Sequence, residues 1–170
     1  MEKKGNYRES VKKAIRRCSN YAVRESESSS EGITYTTKFE TKKGTSIRKM
    51  DILVNEEQET IRMKMFIEED IQGFSKAELL KHLNEIQRKW LYGRMYLTCN
   101  DEWIADYMAI LSWQGESGRA IFEENAYEIV KMISNIFMNF VEKGEAVLQE
   151  LKYGTKKNLN QQDFNLNPFE

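Results

Sequence analysis

Apolar residues recur along the chain with two periods, one of about 3.6 residues and one of two, and the switches between them mark the elements. Over residues 7–23, Tyr7, Val11, Ala14, Ile15, Cys18, Tyr21 and Ala22 share one helical face, with Arg8, Lys12, Lys13, Arg16 and Arg17 around the rest. The acidic serine stretch ESESSSEG, 25–32, predicts a mobile linker. From Ile33 the period is two: Ile33, Tyr35, Thr37 and Phe39 alternate with Thr34, Thr36, Lys38 and Glu40, and the β-branched and aromatic content favours a strand. Lys42-Lys43-Gly44 turns the chain into a return strand over 46–54, with Met50, Ile52 and Val54 on one side. After a turn at 55–58, Thr60 to Ile67 makes a third strand, Ile61, Met63, Met65 and Ile67 inward and Arg62 and Lys64 outward. Short turns make the three a meander.

The next stretch, FSKAELLKHLNEIQRKWLYGRMYLTC, reads as a capped helix, a turn and a strand. Ser75 and Glu78 have capping-box spacing, and Phe74 and Leu79 occupy staple positions that set how the chain enters the helix. Leu79, Leu80, Leu83, Ile86 and Trp90 form its apolar stripe. Gly93 supplies the turn, and Met95, Leu97 and Cys99 then alternate as one side of a strand. Past the turn Asn100-Asp101-Glu102, WIADYMAILSW (103–113) is apolar on both faces and predicts a strand buried on both sides. Residues 114–119 predict a loop. A last helix is expected over 123–152, with Ala126, Ile129, Val130, Ile133, Ile136, Phe137, Phe140, Val141, Val147, Leu148 and Leu151 in one stripe and Glu123 and Glu124 at its positive end.

The predicted architecture is α+β: a five-stranded antiparallel sheet, three-strand meander plus hairpin, with three helices in the order α-βββ-α-ββ-α. It forms a single domain over 1–152, followed by a polar Asn/Gln-rich tail, 153–170, expected to be disordered until something binds it. Phe164, Leu166 and Phe169 in that tail have the makings of a short docking motif, with a plain disordered end the simpler account. At 1.5 Å per residue the last helix would span roughly 40 Å, more than such a domain needs, so its far end is expected to meet a second copy of the chain.

A 170-residue chain is long enough for one domain with a real core, and its net charge of −1 gives no global pull toward nucleic acid or an acidic membrane. The charge is local. Through Arg24 eight Lys or Arg stand against Glu2 and Glu9, a local +6. That first helix lacks the bulky apolar residues of an interfacial helix, so it is expected to dock on its own domain. No apolar run approaches the roughly 20 residues of a transmembrane helix and MEKKGNYRES is too polar for a signal peptide, so the expected location is the cytoplasm. Cys18 and Cys99, far apart and on apolar faces, suit reduced, buried thiols.

Candidate chemistry is sparse. His82, the single histidine, sits on a charged flank and reads as a solvated or locally bonded side chain; a Cys99–His82 pair would define a small cysteine-dependent enzyme, but no third residue is implied that would orient it. Neither metal-ligand spacing nor a phosphate-binding glycine motif is present, so no cofactor or metal is expected. On the outward side of the sheet Lys38, Arg48, Lys49, Arg62 and Lys64 interleave with Glu40, Asp51 and Glu59, a mixed solvated face that makes nucleic acid an unfavoured partner. An RNA-associated factor using Lys12 and Arg16 of the first helix is the remaining alternative. The methionines Met50, Met63, Met65, Met95, Met108, Met132 and Met138 suit a gap-filling core first and an adaptable binding surface second.

Leu83-Asn84 closes a leucine-rich helical run, a strand follows, and Asn100-Asp101 makes an acidic turn into another strand. In these features ELLKHLNEIQRKWLYGRMYLTCNDEWIADYMAIL, Glu78 to Leu111, resembles the YbjN-type family of sensory transduction regulators, and the element order resembles the type III secretion chaperone-like fold. The second asparagine often seen a turn after the first in that family is absent, with Arg88 nearby instead. The resemblance implies a homodimeric, non-catalytic protein-binding, chaperone-like or regulatory module with a protein or peptide partner, which the fold does not name. Trp103, Tyr107, Trp113, Met132, Phe140, Val147 and Leu151 are the candidate interaction surface.

Overall fold

The chain runs α1 (Tyr7–Ser19), β1 (Arg24–Glu25), β2 (Ile33–Glu40), β3 (Ile47–Asn55), β4 (Thr60–Phe66), α2 (Lys76–Lys89), β5 (Gly93–Leu97), β6 (Trp103–Ile110), α3 (Gly115–Glu124) and α4 (Ala126–Asp163). The computed structural model describes residues 7–26, 28–40, 47–67, 75–89, 93–100, 102–110 and 115–163, with the side chains at 7, 89, 115–119, 147–148 and 151–163 outside that description. The turn expected at Lys42-Lys43-Gly44, the staple residue Phe74, Trp90, Asp101, Trp113 and the tail residues Phe164, Leu166 and Phe169 also lie outside it.

All strand pairs are antiparallel, in the spatial order β1-β2-β3-β4-β6-β5. The architecture is the expected α+β one, but with six strands rather than five and four helices rather than three among the described residues. The extra strand lies where the expected first helix gives way to the segment expected to be a linker. Arg24 and Glu25 pair with Thr36 and Tyr35, the Ser26 amide donates to the Thr34 carbonyl at 2.9 Å, and a bridge between Ser29 and Gly32 folds the serine stretch back onto β2. The first helix stops at Ser19 rather than Val23 because Asn20 takes a left-handed backbone (φ 60°), an arrangement asparagine tolerates at a helix end.

The core lies between the sheet and one layer of helices. Alternation puts Ile33, Tyr35, Phe39, Met50, Ile52, Val54, Ile61, Met63, Met65 and Met95 on the covered face, where all are buried. Val11, Ala14 and Ile15 of α1 and Val130, Ile133, Phe137 and Phe140 of α4 pack onto them, and α1, α2 and α3 each contact α4. Thr37 is the polar exception on β2, and it is satisfied: its hydroxyl lies 3.1 Å from both the Ser19 hydroxyl and the Ala22 carbonyl. At the end of β3, Arg48 also turns inward and meets Glu145 of α4 at 2.6 Å. It was expected outward beside Lys49; adjacent strand residues cannot share a face, and Met50 fixes which side is inward.

The helix expected from Glu123 is two helices. Asn125 breaks the run: its side-chain amide donates to the Ile121 carbonyl at 2.8 Å, closing α3, while its own carbonyl accepts the Ile129 amide and opens α4. Glu123 and Glu124 therefore end α3 instead of starting α4, and 115–119, expected as loop, are its first turns. The backbone of α4 then runs to Asp163, through most of the segment expected as a disordered tail.

Gly32 has φ +116°, and a Cβ there would run into the Val54 carbonyl oxygen, a backbone atom that cannot step aside. Gly32→Ala is expected to destabilise the fold by about 2 kcal/mol or more, read as a lower urea midpoint at an unchanged m-value.

Candidate functional site

The opposite face of the sheet carries the even-numbered residues of β2, β4, β5 and β6 and the odd-numbered residues of β3, and the register aligns them in rows. One row crosses all six strands: Arg24, Thr36, Asp51, Lys64, Asp106, Arg94. From Asp51 onward it alternates in sign, so each charge faces an opposite one across the strand, the arrangement that stabilises cross-strand pairs. Thr36 joins the row by donating its hydroxyl to Asp51 at 2.7 Å.

Asp106 is the centre of this face. Its side chain is only 2% exposed, yet it faces away from the helices, and two arginines enclose it. Arg62 grips it as a fork, Nε donating to Oδ1 at 2.8 Å and a terminal nitrogen to Oδ2, while Arg94 adds a bond to Oδ2 at 3.1 Å. Burial alone would raise the Asp106 pKa; the hydrogen bond and charge of Arg62, with the charge of Arg94, outweigh it and hold the carboxyl below its ordinary value. The same bond pushes the Arg62 pKa up.

Apolar residues flank the row on both sides. Toward one end lie Leu53, Met108 and Ile110, the last two 43% and 62% exposed; toward the other lie Ile47, Phe66, Ile104 and Tyr96. The strand expected to be buried on both faces is so buried only to Tyr107. Beyond it, Met108 and Ile110 are exposed on a face that no helix covers among the described residues, whereas Ile104 on the same face is only 6% exposed. At the outer edge, the Gln87 side chain of α2 donates to the Met95 carbonyl of β5 at 2.6 Å.

The structure separates the sequence-derived surface residues. Trp103, Tyr107 and Phe140 are 3%, 9% and 0% exposed and belong to the core, Tyr107 tilted against Phe137 with ring centroids 6.4 Å apart. An apolar strand position does not tell which face has a cover, and these three fell on the covered one. Met132 is exposed on the outer side of α4. Val147 and Leu151 lie on α4, but their side chains, like all of Trp113, are outside the described residues. Five of the seven methionines singled out are core; Met108 and Met132 are not. Sequence reasoning named Arg62 as outward but missed its partner Asp106, a single acid within the apolar run 103–113.

His82 pairs within its own helix, Nδ1 lying 3.5 Å from Glu85. Cys99 is exposed in the turn after β5, with Asn100 as its contact, because the strand ends at Leu97 instead of carrying Cys99 on its apolar side. No hydrogen bond or ion pair links the two. Cys18 is half-buried, and its thiol is pushed up to about 11 by burial, against the lowering pull of Lys131 and Arg17. Among the described residues no cluster of His, Cys, Asp and Glu could hold a metal ion, and no helix is long and apolar enough to cross a membrane. Family models, curated proteins and solved structures were each compared with the chain, and none matches.

Because the folded pKa of Asp106 is depressed, its contribution is fully present above the ordinary carboxylate value of about 3.9 and is lost as pH falls through the lower folded value. Asp106→Asn is therefore expected to cost about 1–3 kcal/mol at pH 7, and the gap from the parent to close on acidification below that pKa, measured by urea unfolding across pH. Arg94, 64% exposed, accounts for the smaller share because water screens it. A thiol reagent at pH 8 should titrate one cysteine of the folded chain promptly, Cys99, and Cys18 only after unfolding.

Proposed function

We propose that this chain is a non-catalytic protein-binding module, regulatory or chaperone-like, that works as a homodimer. The observation that carries the reading is the uncovered sheet face. It presents apolar groups on both sides of a charge row whose Asp106 end satisfies itself internally, so a partner gains contact area from Phe66, Met108 and Ile110 without having to neutralise the row. Charged residues at the centre of such a face fix how a partner is placed more than how tightly it is held.

The self-association arm is the far part of α4. Glu145 is tied to β3 through Arg48, and the helix runs on to Asp163, about 27 Å further at 1.5 Å per residue. In sequence Val147, Leu148 and Leu151 continue the apolar stripe beyond that tie, and an amphipathic helix of this kind is stabilised by packing that stripe against another element. A second copy supplies such an element with the symmetry commonest in soluble oligomers. The element order supports a type III secretion chaperone-like arrangement, with β1 and α3 as additions to the α-βββ-α-ββ-α plan.

Sedimentation equilibrium of the full chain is expected to give a dimer, and of a chain ending at Glu150 a monomer with its thermal transition retained. A full chain that stays monomeric overturns the dimer. For partner binding the probe is reduced insulin: the chain should suppress its light scattering, and Met108→Glu with Ile110→Glu should raise the concentration needed about tenfold, the equivalent of ~1.4 kcal/mol. Equal potency of parent and double variant overturns the open face as the binding surface.

A further inference from the structure

The charge pattern that reads as evenly mixed along the sequence is predominantly basic at one rim of the fold. Two depressions abut where the chain passes from α1 to β1, sharing Tyr21 and Ala22 as the saddle between them. One, of about 520 Å³, lies at the end of α1 beside Arg16 and Arg17; the other, of about 590 Å³, lies on the open sheet face beside Arg24, Lys38 and Lys49. Among the described residues no acidic one lines either depression, the Glu40 carboxylate lying next to them on the Tyr21 hydroxyl. Lys38 and Lys49 are exposed and directly opposite one another on adjacent strands, a like-charged pairing that works against the sheet. Arg16, Arg24, Lys38 and Lys49 have no ion-pair partner within 4.0 Å among the described residues, and Arg17 is held over the Tyr127 ring, 3.9 Å from its centroid.

Of the acids that interleave with these cations in sequence, Glu25 is engaged away from the rim, while Asp51 and Glu40 each accept a bond from a residue of the rim itself. Glu25 meets Lys12 at 3.5 Å, Asp51 accepts the Thr36 hydroxyl, and Glu40 accepts the Tyr21 hydroxyl at 2.8 Å, which also steadies the tyrosine at the saddle.

We propose that this rim, Arg16, Arg17, Arg24, Lys38 and Lys49 around Tyr21, binds single-stranded nucleic acid. Five cations spread over two depressions outreach any single phosphate and suit a ligand with phosphates at regular intervals. The strip turns a corner, from the helix layer round the edge of β2 onto the open face, which a single strand can follow and a stiff duplex cannot. Tyr21 at the corner is half-exposed and borders both depressions, the position from which an aromatic ring stacks on a base between two phosphate contacts. The site reads backbone charge and a stacked base, so it discriminates little among sequences.

The test is fluorescence anisotropy of a labelled oligo(dT) of about twelve nucleotides, within the range of single-strand site sizes, with the full chain. Binding is expected with a log–log salt slope of about −2 to −3, as for three or four neutralised phosphates. Lys38→Glu with Lys49→Glu, both exposed and so compatible with folding, should weaken it at least about tenfold at low salt by reversing two of those contacts. Tyr21→Leu should weaken it, while Tyr21→Phe, which keeps the ring and loses the bond to Glu40, should not. Absence of salt-dependent binding, a duplex bound as tightly as the single strand, polyglutamate competing as well per charge as oligo(dT), or a double variant that binds like the parent would each overturn the proposal. Dimerisation is read at α4, and insulin protection at Met108 and Ile110, which share the open face with Lys38 and Lys49 but lie across the charge row from them, so either reading can fail while the other stands.

Discussion

A six-stranded sheet has two faces, and among the described residues the helices cover one. Everything distinctive about the molecule follows from that asymmetry. On the covered side the chain needs only apolar residues at every second position, and it has them, down to four methionines that are completely buried. On the other side, where no helix packs among the described residues, the same backbone has to present a stable surface by other means. It does so with side chains that bond laterally, strand to strand, Asp51 with Thr36 and Asp106 with Arg62 and Arg94.

The Asp106 group shows how this lateral bonding reaches the level of the fold. β4 and β6 are neighbours in the sheet although α2 and β5 lie between them in sequence, so their pairing is non-local and carries a loop-closure cost. A carboxylate desolvated between two guanidinium groups is strongly disfavoured unless both are in place, which makes the correct neighbours of β6 much better than approximate ones. The ion pairs thus do for the open face what close packing does for the covered one.

Much of this was legible in the residues. The boundaries of β2 and β4 and the Ser75–Glu78 capping box emerge from spacing alone, and in the fold the Glu78 amide donates to the Ser75 hydroxyl while the Ser75 amide donates to the Glu78 carboxylate, each at 3.2 Å. What could not be read is what depends on distant partners. Asn125 looks like any polar position inside a helical stripe until its side chain is seen to take the Ile121 carbonyl. Arg48 looks like a surface cation until Glu145 arrives from another element, and Trp103, Tyr107 and Phe140 stand as interaction-surface candidates until the covered face is known. The basic rim was invisible for the same reason. Its cations come from α1, β1, β2 and β3, and only the folded chain brings those four elements to one edge.

The bond from Gln87 to the Met95 carbonyl has a consequence for how copies of this chain can meet. Open sheets grow when a further strand pairs with an unfilled edge, the route to fibres. Here one outer strand, β1, is two residues long, and the other, β5, already has a carbonyl engaged by a side chain of α2. Among the described residues neither outer strand is a long row of free backbone groups that would serve as a template. Assembly is thereby steered away from strand-by-strand extension and toward contacts between helices and faces, which can close on themselves at a fixed number of copies.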